Sequence, residues 1–472
     1  LGSLEPVTAG VSYAPSYDIG TTELIASNAT VLDPQQYRYT SKDGSVYLID
    51  KTAGVQIVQC SNGMAITVTP GGIRHDSGGG VNFTRDNLGR ITSLTDPNGR
   101  TQTYTYDANG DLASHTDAGG NDTKFLYNYT HGLIEIRDPR GVAAIRNEYD
   151  NDGRLISSTD PLGRKSTFDH DLVARRETVT DRLGQVTVHE YDASGNIIRT
   201  TDPLGGVTTR TYDAFGNELT RTDPLGRTTS FEYDSRRNVT KESDGLGNTT
   251  TYAYNALNQV TRVADPLGRV TTNTYDTSGN LTQSRDALGN TTTYAYDSGG
   301  VILPGSGNLL SKTDALGNVT AYGYDNYGRM TRETDALGRV TSYTYDANGN
   351  RLTQTTTRSV NGSTETLTTR FEYDANNRLT KTTHPDGSVT RTEYNAIGKQ
   401  AKTIDALGRV TSYEYDALGR LTKTTYPDGT AETSAYDAEG RRIAGADRAG
   451  RSTTYAQRLK AIPRKKTDIM DC

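Results

Sequence analysis

Short stretches of alternating apolar and polar residues recur along most of the chain, each bounded by Asp, Pro or Gly. In residues 227–233, for example, Phe231 and Tyr233 fall on one face of an extended strand and their neighbours fall on the other. Segments of six or seven residues that are rich in Thr, Tyr, Phe and Leu are typical of β-strands. The pattern therefore predicts an all-β chain of short strands joined by tight turns.

The strands repeat with a fixed period. Tyr-Asp or Tyr-Asn occurs in 15 slots of one series, Arg85 and His170 fill two more slots, and 13 of the 16 intervals are 21 residues long. The tyrosines of the series are Tyr106, Tyr127, Tyr149, Tyr191, Tyr212, Tyr233, Tyr254, Tyr275, Tyr296, Tyr324, Tyr345, Tyr373, Tyr394, Tyr415 and Tyr436. Each repeat has room for two strands and two turns, so we predict repeated antiparallel hairpins of about 21 residues.

Each repeat contains two turns that begin with Asp and place Gly fourth. Asp and Asn side chains can accept a hydrogen bond from the backbone two residues on, and Gly tolerates positive φ. We assign this structural role to Asp192, Asp213, Gly216, Asp223, Gly226, Asp234, Asp276 and Gly279, and we expect positive φ at Gly216, Gly279 and Gly419. Asn258 and Asn377 suit the same position, whereas Ala174 and Arg237 have no explanation in the sequence.

Two intervals are 28 residues long instead of 21. The first, between Tyr296 and Tyr324, indicates a lengthened loop over residues 298–308. The second contains Asn361-Gly362, a strong signal for a two-residue hairpin, flanked by strand-like segments at 355–360 and 363–368. We expect this hairpin to project past its neighbours by about three residue pairs, roughly 10 Å.

The repeat pattern also sets the expected boundaries. Residues 1–37 have no register and are interpreted as an irregular N-terminal linker, and residues 38–84 carry degenerate hairpin repeats. Regular repeats occupy residues 85–456, and residues 457–472 form an off-register basic tail. Since the sequence begins at Leu1 and shows no signal-peptide pattern, we expect an internal fragment of a longer polypeptide.

The composition favours a sheet with a thin core. Only 33% of the residues are hydrophobic and 23% are charged, yet 30 Tyr and 49 Gly supply strand and turn formers. A continuous sheet of roughly 34 strands would run on the order of 160 Å, and open sheets rarely exceed about ten strands without curling. We therefore expect a long curled or spiral β-sheet that forms a shell.

Few classes of partner or chemistry fit this sequence. A net charge of -6 offers no basic surface for nucleic acid, and no apolar run is long enough for a membrane span. The six histidines are dispersed without metal-ligand spacing, and the Asp-Ser-Gly tripeptides at 76–78 and 297–299 fall in turn slots. We therefore predict no catalytic residue, no metal site, no cofactor and no enzymatic activity.

The aromatic residues are the one feature with a plausible binding role. The slot two residues before the Tyr-Asp tyrosine is aromatic in 11 of 17 repeats, which places a double aromatic row on one face of the sheet. Packing across strands is the favoured interpretation, and stacking on sugar rings is the alternative. The candidate glycan-stacking residues are Tyr252, Tyr254, Tyr294, Tyr296, Tyr322, Tyr324, Tyr343 and Tyr345.

The motif Y-D-x-x-G-x-L, present for example at residues 415–421, recurs together with D-P-L-G turns ten residues on. In this the chain resembles the RHS or YD-repeat family of bacterial polymorphic toxins, wall-associated proteins, toxin-complex C subunits and teneurins. The similarity covers about residues 38–456. It implies a spiral β-sheet shell that is secreted or displayed on the cell surface and that, in toxin members, encloses a C-terminal effector.

The resemblance thus favours a non-catalytic scaffold whose partners are an enclosed effector or adjacent shell segments. A carbohydrate-binding, adhesin-like surface protein is the alternative. A glycan-processing enzyme is the least favoured possibility, because the periodic aspartates are needed for the turns.

Overall fold

The computed structural model describes residues 3–6, 24–25, 31–32, 35–40, 46–50, 52, 54–59, 65–76, 78–297 and 307–455. These residues form 43 strands joined mainly by tight turns. No helix in this part of the chain is long and apolar enough to cross a membrane.

The first strands precede the regular repeats. They are β1 (Ser3–Pro6), β2 (Leu24–Ile25), β3 (Val31–Leu32), β4 (Gln36–Thr40), β5 (Val46–Asp50), β6 (Gly54–Gln59), β7 (Ala65–Thr69), β8 (Gly72–His75) and β9 (Gly80–Arg85). The strand β1 pairs with β4 in antiparallel fashion. The remainder of the predicted linker lies largely outside the described residues.

The strands of the first regular repeats are mostly five or six residues long. They are β10 (Ile91–Thr95), β11 (Thr101–Tyr106), β12 (Leu112–Thr116), β13 (Asp122–Tyr127), β14 (Leu133–Arg137), β15 (Ala143–Tyr149), β16 (Leu155–Thr159), β17 (Lys165–Asp171), β18 (Arg176–Thr180), β19 (Val186–Tyr191), β20 (Ile197–Thr201), β21 (Val207–Tyr212), β22 (Glu218–Thr222), β23 (Thr228–Tyr233), β24 (Val239–Ser243) and β25 (Thr249–Tyr254).

The later strands have the same lengths, except for one long pair. They are β26 (Val260–Ala264), β27 (Val270–Tyr275), β28 (Leu281–Arg285), β29 (Thr291–Tyr296), β30 (Leu309–Thr313), β31 (Val319–Tyr324), β32 (Met330–Thr334), β33 (Val340–Tyr345), β34 (Arg351–Val360), β35 (Ser363–Tyr373), β36 (Leu379–Thr383), β37 (Val389–Tyr394), β38 (Gln400–Ile404), β39 (Val410–Tyr415), β40 (Leu421–Thr425), β41 (Ala431–Tyr436), β42 (Arg442–Ala446) and β43 (Ser452–Thr454).

Strands that are neighbours in sequence pair in antiparallel fashion. In β21 and β22, for instance, Thr209 lies opposite Thr222, and the register shifts by one residue between Thr211 and Tyr212. A similar shift precedes the Tyr-Asp tyrosine in most repeats, as at Tyr106 and Tyr345. Because such bulges increase the local twist, they favour a curled sheet over a flat one. The all-β fold of repeated hairpins in a curled sheet is confirmed.

The chain divides into two compact units. Unit 1 comprises Leu1–Thr101, Ala253–Val263 and Arg269–Leu367, and unit 2 comprises Gln102–Tyr252, Ala264–Gly268 and Thr368–Cys472. Within unit 1, Asn98 contacts Asp346, and within unit 2, Asn376 contacts Asp117. In each unit, therefore, segments of the sheet that are about 250 residues apart meet at their turns.

The interior of the sheet is thin, as its composition suggests. Among the described residues, Ala143 is the one hydrophobic residue that is buried. The other buried residues are two glycines, Gly72 and Gly279, and four polar residues, Ser157, Ser158, Asp160 and Asn280. Hydrogen bonding in strands and turns, rather than a dry core, must therefore contribute much of the stability.

The backbone angles explain the turn sequences. Gly216, Gly279 and Gly419 have φ of 80°, 78° and 72°, which confirms the expected positive φ. Arg237 adopts φ of 66° in the same position despite its side chain. The turn containing Ala174 differs, because Asp171 pairs directly with Arg176 and the positive φ of 52° moves to Arg175.

The two long intervals accommodate their extra residues in different ways. In the second, β34 and β35 flank Asn361 and Gly362, whose φ values are 50° and 80°, and Arg358 pairs with Glu365 across the hairpin. Since β33 begins opposite Thr357, the predicted projection is confirmed. In the first, the Asp297 amide still donates to the Asn308 carbonyl, at 3.0 Å. The described residues do not include residues 298–306 of the predicted loop, Cys60 or the tail after 455.

Candidate functional site

The Tyr-Asp turns are closed by the side chain of their first residue. The Asp213 Oδ1 accepts hydrogen bonds from the amides of Phe215 and Asn217 at 2.8 and 2.9 Å, and its Oδ2 accepts one from Asn217 Nδ2 at 2.7 Å. The Gly216 amide donates to the Asp213 carbonyl at 3.1 Å. The carboxylate is thereby committed to the backbone of its own turn.

The second turn of each repeat, typified by D-P-L-G, is closed in the same way. The Asp223 Oδ1 accepts from the amides of Leu225 and Arg227, at 2.9 and 3.0 Å, and Arg227 Nε donates to Oδ2 at 2.7 Å. Gly226 has φ of 78°. The same bonds to the amides two and four residues on occur at Asp192, Asp234 and Asp276.

These hydrogen bonds lower the pKa of the turn carboxyls. The side-chain bond from Asn217 is the largest cause of the lowered pKa of Asp213, and the bond from Arg227 has this role for Asp223. At Asp160, burial by itself raises the pKa, but hydrogen bonds from Arg164 and Leu162 outweigh it, so the pKa of this carboxyl is lowered too. Asp160, Asp213 and Asp223 are therefore ionised at neutral pH and are poor candidates for general acids.

The tyrosines of the Tyr-Asp series bind the backbone of the preceding strand. The Tyr345 hydroxyl donates to the Met330 carbonyl at 2.6 Å, and His170, which replaces tyrosine, places Nε2 2.9 Å from the Leu155 carbonyl. Hydroxyls with an equivalent bond are those of Tyr149, Tyr212, Tyr233, Tyr275, Tyr324, Tyr394, Tyr415 and Tyr436. These phenols act as cross-strand ties.

We expect Tyr345→Phe to lower the free energy of unfolding by about 1 kcal/mol, because the half-buried Met330 carbonyl loses its donor. Tyr129→Phe is the matched control, since the Tyr129 residue is 86% exposed. Urea unfolding followed by circular dichroism measures both changes. Equal midpoints for Tyr345→Phe and the wild type would contradict the role of the hydroxyl as a tie.

The eight candidate glycan-stacking tyrosines are all half-buried: Tyr252, Tyr254, Tyr294, Tyr296, Tyr322, Tyr324, Tyr343 and Tyr345. The Tyr324 and Tyr345 hydroxyls are bound to backbone carbonyls, and that of Tyr343 contacts Glu333 at 3.3 Å. Guanidinium groups lie over two of the rings, 5.1 Å from Tyr343 and 5.0 Å from Tyr345. Both the hydroxyls and the ring faces needed by a sugar are therefore partly engaged within the chain, and glycan binding stays a prediction.

The arginines that follow the turn glycine, such as Arg329 and Arg420, have two kinds of partner. Arg329 Nε pairs with the Asp325 carboxylate at 2.7 Å, and its guanidinium carbon lies 5.0 Å from the Tyr345 ring centroid. Arg420 repeats the arrangement with Asp416 at 2.6 Å and with the Tyr436 ring at 4.8 Å. Each arginine therefore joins its own turn to an aromatic ring.

In unit 1, second turns meet Tyr-Asp turns through a reciprocal exchange of asparagine side chains. Asn98 Nδ2 donates to Asp346 Oδ2 at 3.0 Å, and Asn348 Nδ2 donates to Asp96 Oδ2 at 2.5 Å. The Asn98 amide also donates to Asn348 Oδ1 at 3.2 Å. Each asparagine occupies the third position of its turn and reaches the first aspartate of the other turn.

In unit 2, the same two kinds of turn meet. Asn376 Nδ2 donates to Asp117 Oδ2 at 2.8 Å. Further along, Arg140 Nη1 and Nη2 donate to the carbonyls of Asp416 and Ala417, at 3.2 and 2.7 Å. Third-position side chains again bridge the two turns.

Unit 2 also contains a buried charge cluster at such a contact. Asp160 is 3% exposed, and its Oδ2 lies 2.7 Å from Arg164 Nη2 and 3.7 Å from Arg182 Nε. Arg164 Nη1 donates to the Asp437 carbonyl at 3.1 Å, and the Arg182 amide donates to Glu439 Oε1 at 2.8 Å. The cluster therefore joins two second turns to one Tyr-Asp turn.

The sequence analysis assigned no role to these third-position residues. The sequence does mark two of them, because Asn98 and Arg140 occupy a position at which many second turns have Leu. A shallow depression of about 510 Å³ lies near Arg409 and Arg448, and both arginines are paired with aspartates there. No group of three or more potential metal ligands occurs among the residues that the structure describes.

Comparison with known families gives one match, described as RHS Repeat. The matched segments together cover well over half of the chain: 85–123, 106–143, 149–186, 175–207, 191–227, 212–249, 238–270, 275–300, 305–338, 328–364, 359–389 and 394–431. A comparison with curated proteins finds no match.

Solved structures with a similar fold include toxin-complex assemblies. The crystal structure of TcdB2-TccC3-Cdc42 matches with a TM-score of 0.50 and 13% identity, over 93% of this chain and 34% of that chain. That of TcdB2-TccC3 without its hypervariable C-terminal region matches with a TM-score of 0.49 and 14% identity, over 90% and 23%. This chain thus spans about a third or less of the length of these solved chains, and at such identity the likeness concerns the fold.

Proposed function

The chain belongs to the RHS repeat family, and from this premise we propose that it forms part of the wall of a β-sheet shell that encloses an effector domain. The wall itself is non-catalytic. Its partners are the adjacent segments of the shell and the enclosed domain, and it works outside the producing cell as part of a secreted or surface-displayed protein.

The edge-to-edge contact between turns is the observation that carries this proposal. A single-layer sheet can form a wall only if successive segments are joined along their edges, and second turns are joined to Tyr-Asp turns at Asp96 and Asp346 in unit 1 and at Asp160 and Asp437 in unit 2. The near absence of buried apolar side chains fits a wall better than a globular domain.

The chemistry of the turns supports a structural role. The periodic aspartates bind backbone amides, and hydrogen bonds lower the pKa of several of them, including Asp150 and Asp244. A general acid needs a raised pKa, which these groups lack. Similarity in fold to a TcdB2-TccC3 complex supports the further step that the shell is built together with other segments.

Limited proteolysis of the whole polypeptide that carries this chain tests the enclosure. We expect the effector domain to resist cleavage as long as the repeat segment stays folded, and to become sensitive when acid or urea unfolds it. Cleavage of the effector at the same rate in both conditions would contradict the proposal.

A glycan array separates this function from the adhesin alternative. We expect no glycan to bind the chain in a manner that depends on Tyr322 or Tyr343. Binding that is lost in Tyr322→Ala, while Tyr129→Ala retains it, would instead favour the carbohydrate-binding protein.

A further inference from the structure

The contact between sheet segments in unit 1 joins two different edges. The segment of residues 65–100 contributes its second-turn edge, through His75 and Asn98, and the segment of residues 281–350 contributes its Tyr-Asp edge, through Tyr327 and Asn348. The rings of His75 and Tyr327 lie 5.7 Å apart. Because unlike edges meet, the contact is heterologous, and each segment retains a free edge of the other kind.

Unit 2 by itself follows the same rule. Second turns that begin at Asp117 and Asp160 meet Tyr-Asp turns that begin at Asp374 and Asp437. The rule therefore holds at several independent positions of the chain.

The free second-turn edge of residues 281–350 carries a row of exposed leucines. Leu288, Leu316 and Leu337 are 88%, 88% and 79% exposed, and we call them the leucine row. They occupy the third position of the turns that join β28 to β29, β30 to β31 and β32 to β33. Since these strands pair consecutively, neighbouring leucines are about 10 Å apart along the edge.

Two leucines at this turn position in a joined edge are less exposed than the leucine row. Leu162 and Leu183 lie in the second turns that contact Asp437 and Glu439, and they are 50% and 41% exposed. The leucine row is much more exposed although it has the same position in the same kind of turn. The leucine row is therefore accessible for contact with a Tyr-Asp edge.

A second copy of the chain can supply that edge. The Tyr-Asp turns of residues 128–216, within unit 2, present apolar side chains to solvent, with Val173 98% exposed and Tyr129 and Phe215 also exposed. Exposed apolar groups on both free edges favour burial against each other.

We infer that the leucine row docks onto the Tyr-Asp edge of a second copy of this chain, around Tyr129, Val173 and Phe215. The contact is heterologous, because it joins two different edges of the chain. This inference rests on the proposed wall function, because it names one neighbour of the wall. The inference and the proposed function can still fail separately: a chain that forms a wall but stays monomeric would contradict only the docking.

Sedimentation velocity over a wide range of concentration tests the docking. We expect the wild-type chain to form oligomers that grow with concentration, and we expect the combined variant Leu288→Ser, Leu316→Ser, Leu337→Ser to associate at least about tenfold more weakly. Leu310→Ser, a half-exposed leucine on the strand β30 away from the turns, is the control and should associate as the wild type does. Circular dichroism spectra and thermal midpoints show whether each variant is folded.

A mixing experiment tests the polarity of the contact. A second variant, Val173→Asp with Phe215→Asp, keeps its leucine row but loses the opposite edge. Each variant alone should stay monomeric, whereas an equal mixture should give dimers and nothing larger.

Three outcomes would overturn the inference. They are a wild-type chain that is monomeric at every concentration, a leucine-row variant that associates as strongly as the wild type, and a mixture of the two variants that gives no dimer. If hydrogen exchange then shows the leucine row protected in the longer polypeptide but not in this chain, the occupant is a further segment of the same polypeptide and not a second copy.

Discussion

Replacing Asp160 with asparagine is expected to lower the free energy of unfolding by about 3 to 5 kcal/mol. The side chain is almost fully buried, and it is the anion nearest to Arg164 Nη2 and Arg182 Nε, two buried atoms that make no hydrogen bond. Without the carboxylate charge, these two buried nitrogen atoms lose their nearest anion, although the arginine side chains themselves are 23% and 29% exposed. The joined turns at Asp437 and Glu439 should therefore separate at lower temperature or denaturant concentration.

Asp213→Asn is the matched control for this variant. Asparagine already occupies the first turn position at Asn255, where its Oδ1 accepts from the amides of Leu257 and Gln259 at 2.9 and 3.0 Å. The substitution keeps the two amide bonds to Oδ1 and buries no unpaired charge, although it loses the acceptor at Oδ2, so the unfolding midpoint should move far less than in Asp160→Asn. Urea unfolding of the two variants measures the difference. Equal decreases in the free energy of unfolding would show that the charge cluster contributes no more to stability than an ordinary turn does.

Acid is expected to unfold the chain in a steep transition. Many turn carboxyls have a lowered pKa, mostly because side chains at the fifth turn position donate to them, as at Asp150, Asp192 and Asp286. A lowered pKa in the folded state means that the unfolded state binds more protons, so stability rises with pH in this range. The stabilisation is complete above the unfolded pKa of about 4 and is lost as the pH falls through the folded values.

Thermal midpoints measured against pH test this expectation. They should be nearly constant between about pH 7 and pH 5 and should fall steeply below about pH 4. High salt should change this profile little, since the carboxylates are held by short hydrogen bonds within each turn, in addition to ion pairs. A midpoint that stays constant to about pH 3 would contradict the role of the aspartates as turn clamps.

The local architecture could be predicted because the residues that specify each strand and turn lie within the repeat itself. Tyr-Asp and the turn glycine fix where a strand ends, and Asn361-Gly362 fixes a hairpin from two residues alone. Arg237 shows that the position matters more than the residue, since the neighbouring strands impose positive φ on it. Ala174 departs because β17 continues to Asp171 without the usual shift in register.

The joined edges could not be predicted, because no local pattern tells which turns meet. Asn98 and Asn348 are 250 positions apart, and their contact depends on how the whole intervening sheet curls. Each asparagine is also an ordinary turn residue by itself. The tyrosine rows follow from the alternation of residues along each strand, whereas the bonds from the tyrosine hydroxyls to carbonyls depend on the bulge before each turn.

Small-angle X-ray scattering of the monomeric chain tests the central claim, that it is a wall and not a globule. The leucine-row variant Leu288→Ser, Leu316→Ser, Leu337→Ser provides monomer if the wild type associates. A wall should give the pair-distance distribution of a hollow, curved sheet, with a radius of gyration clearly larger than the roughly 23 Å of a compact domain of this length. A distribution that matches a solid globule would contradict it.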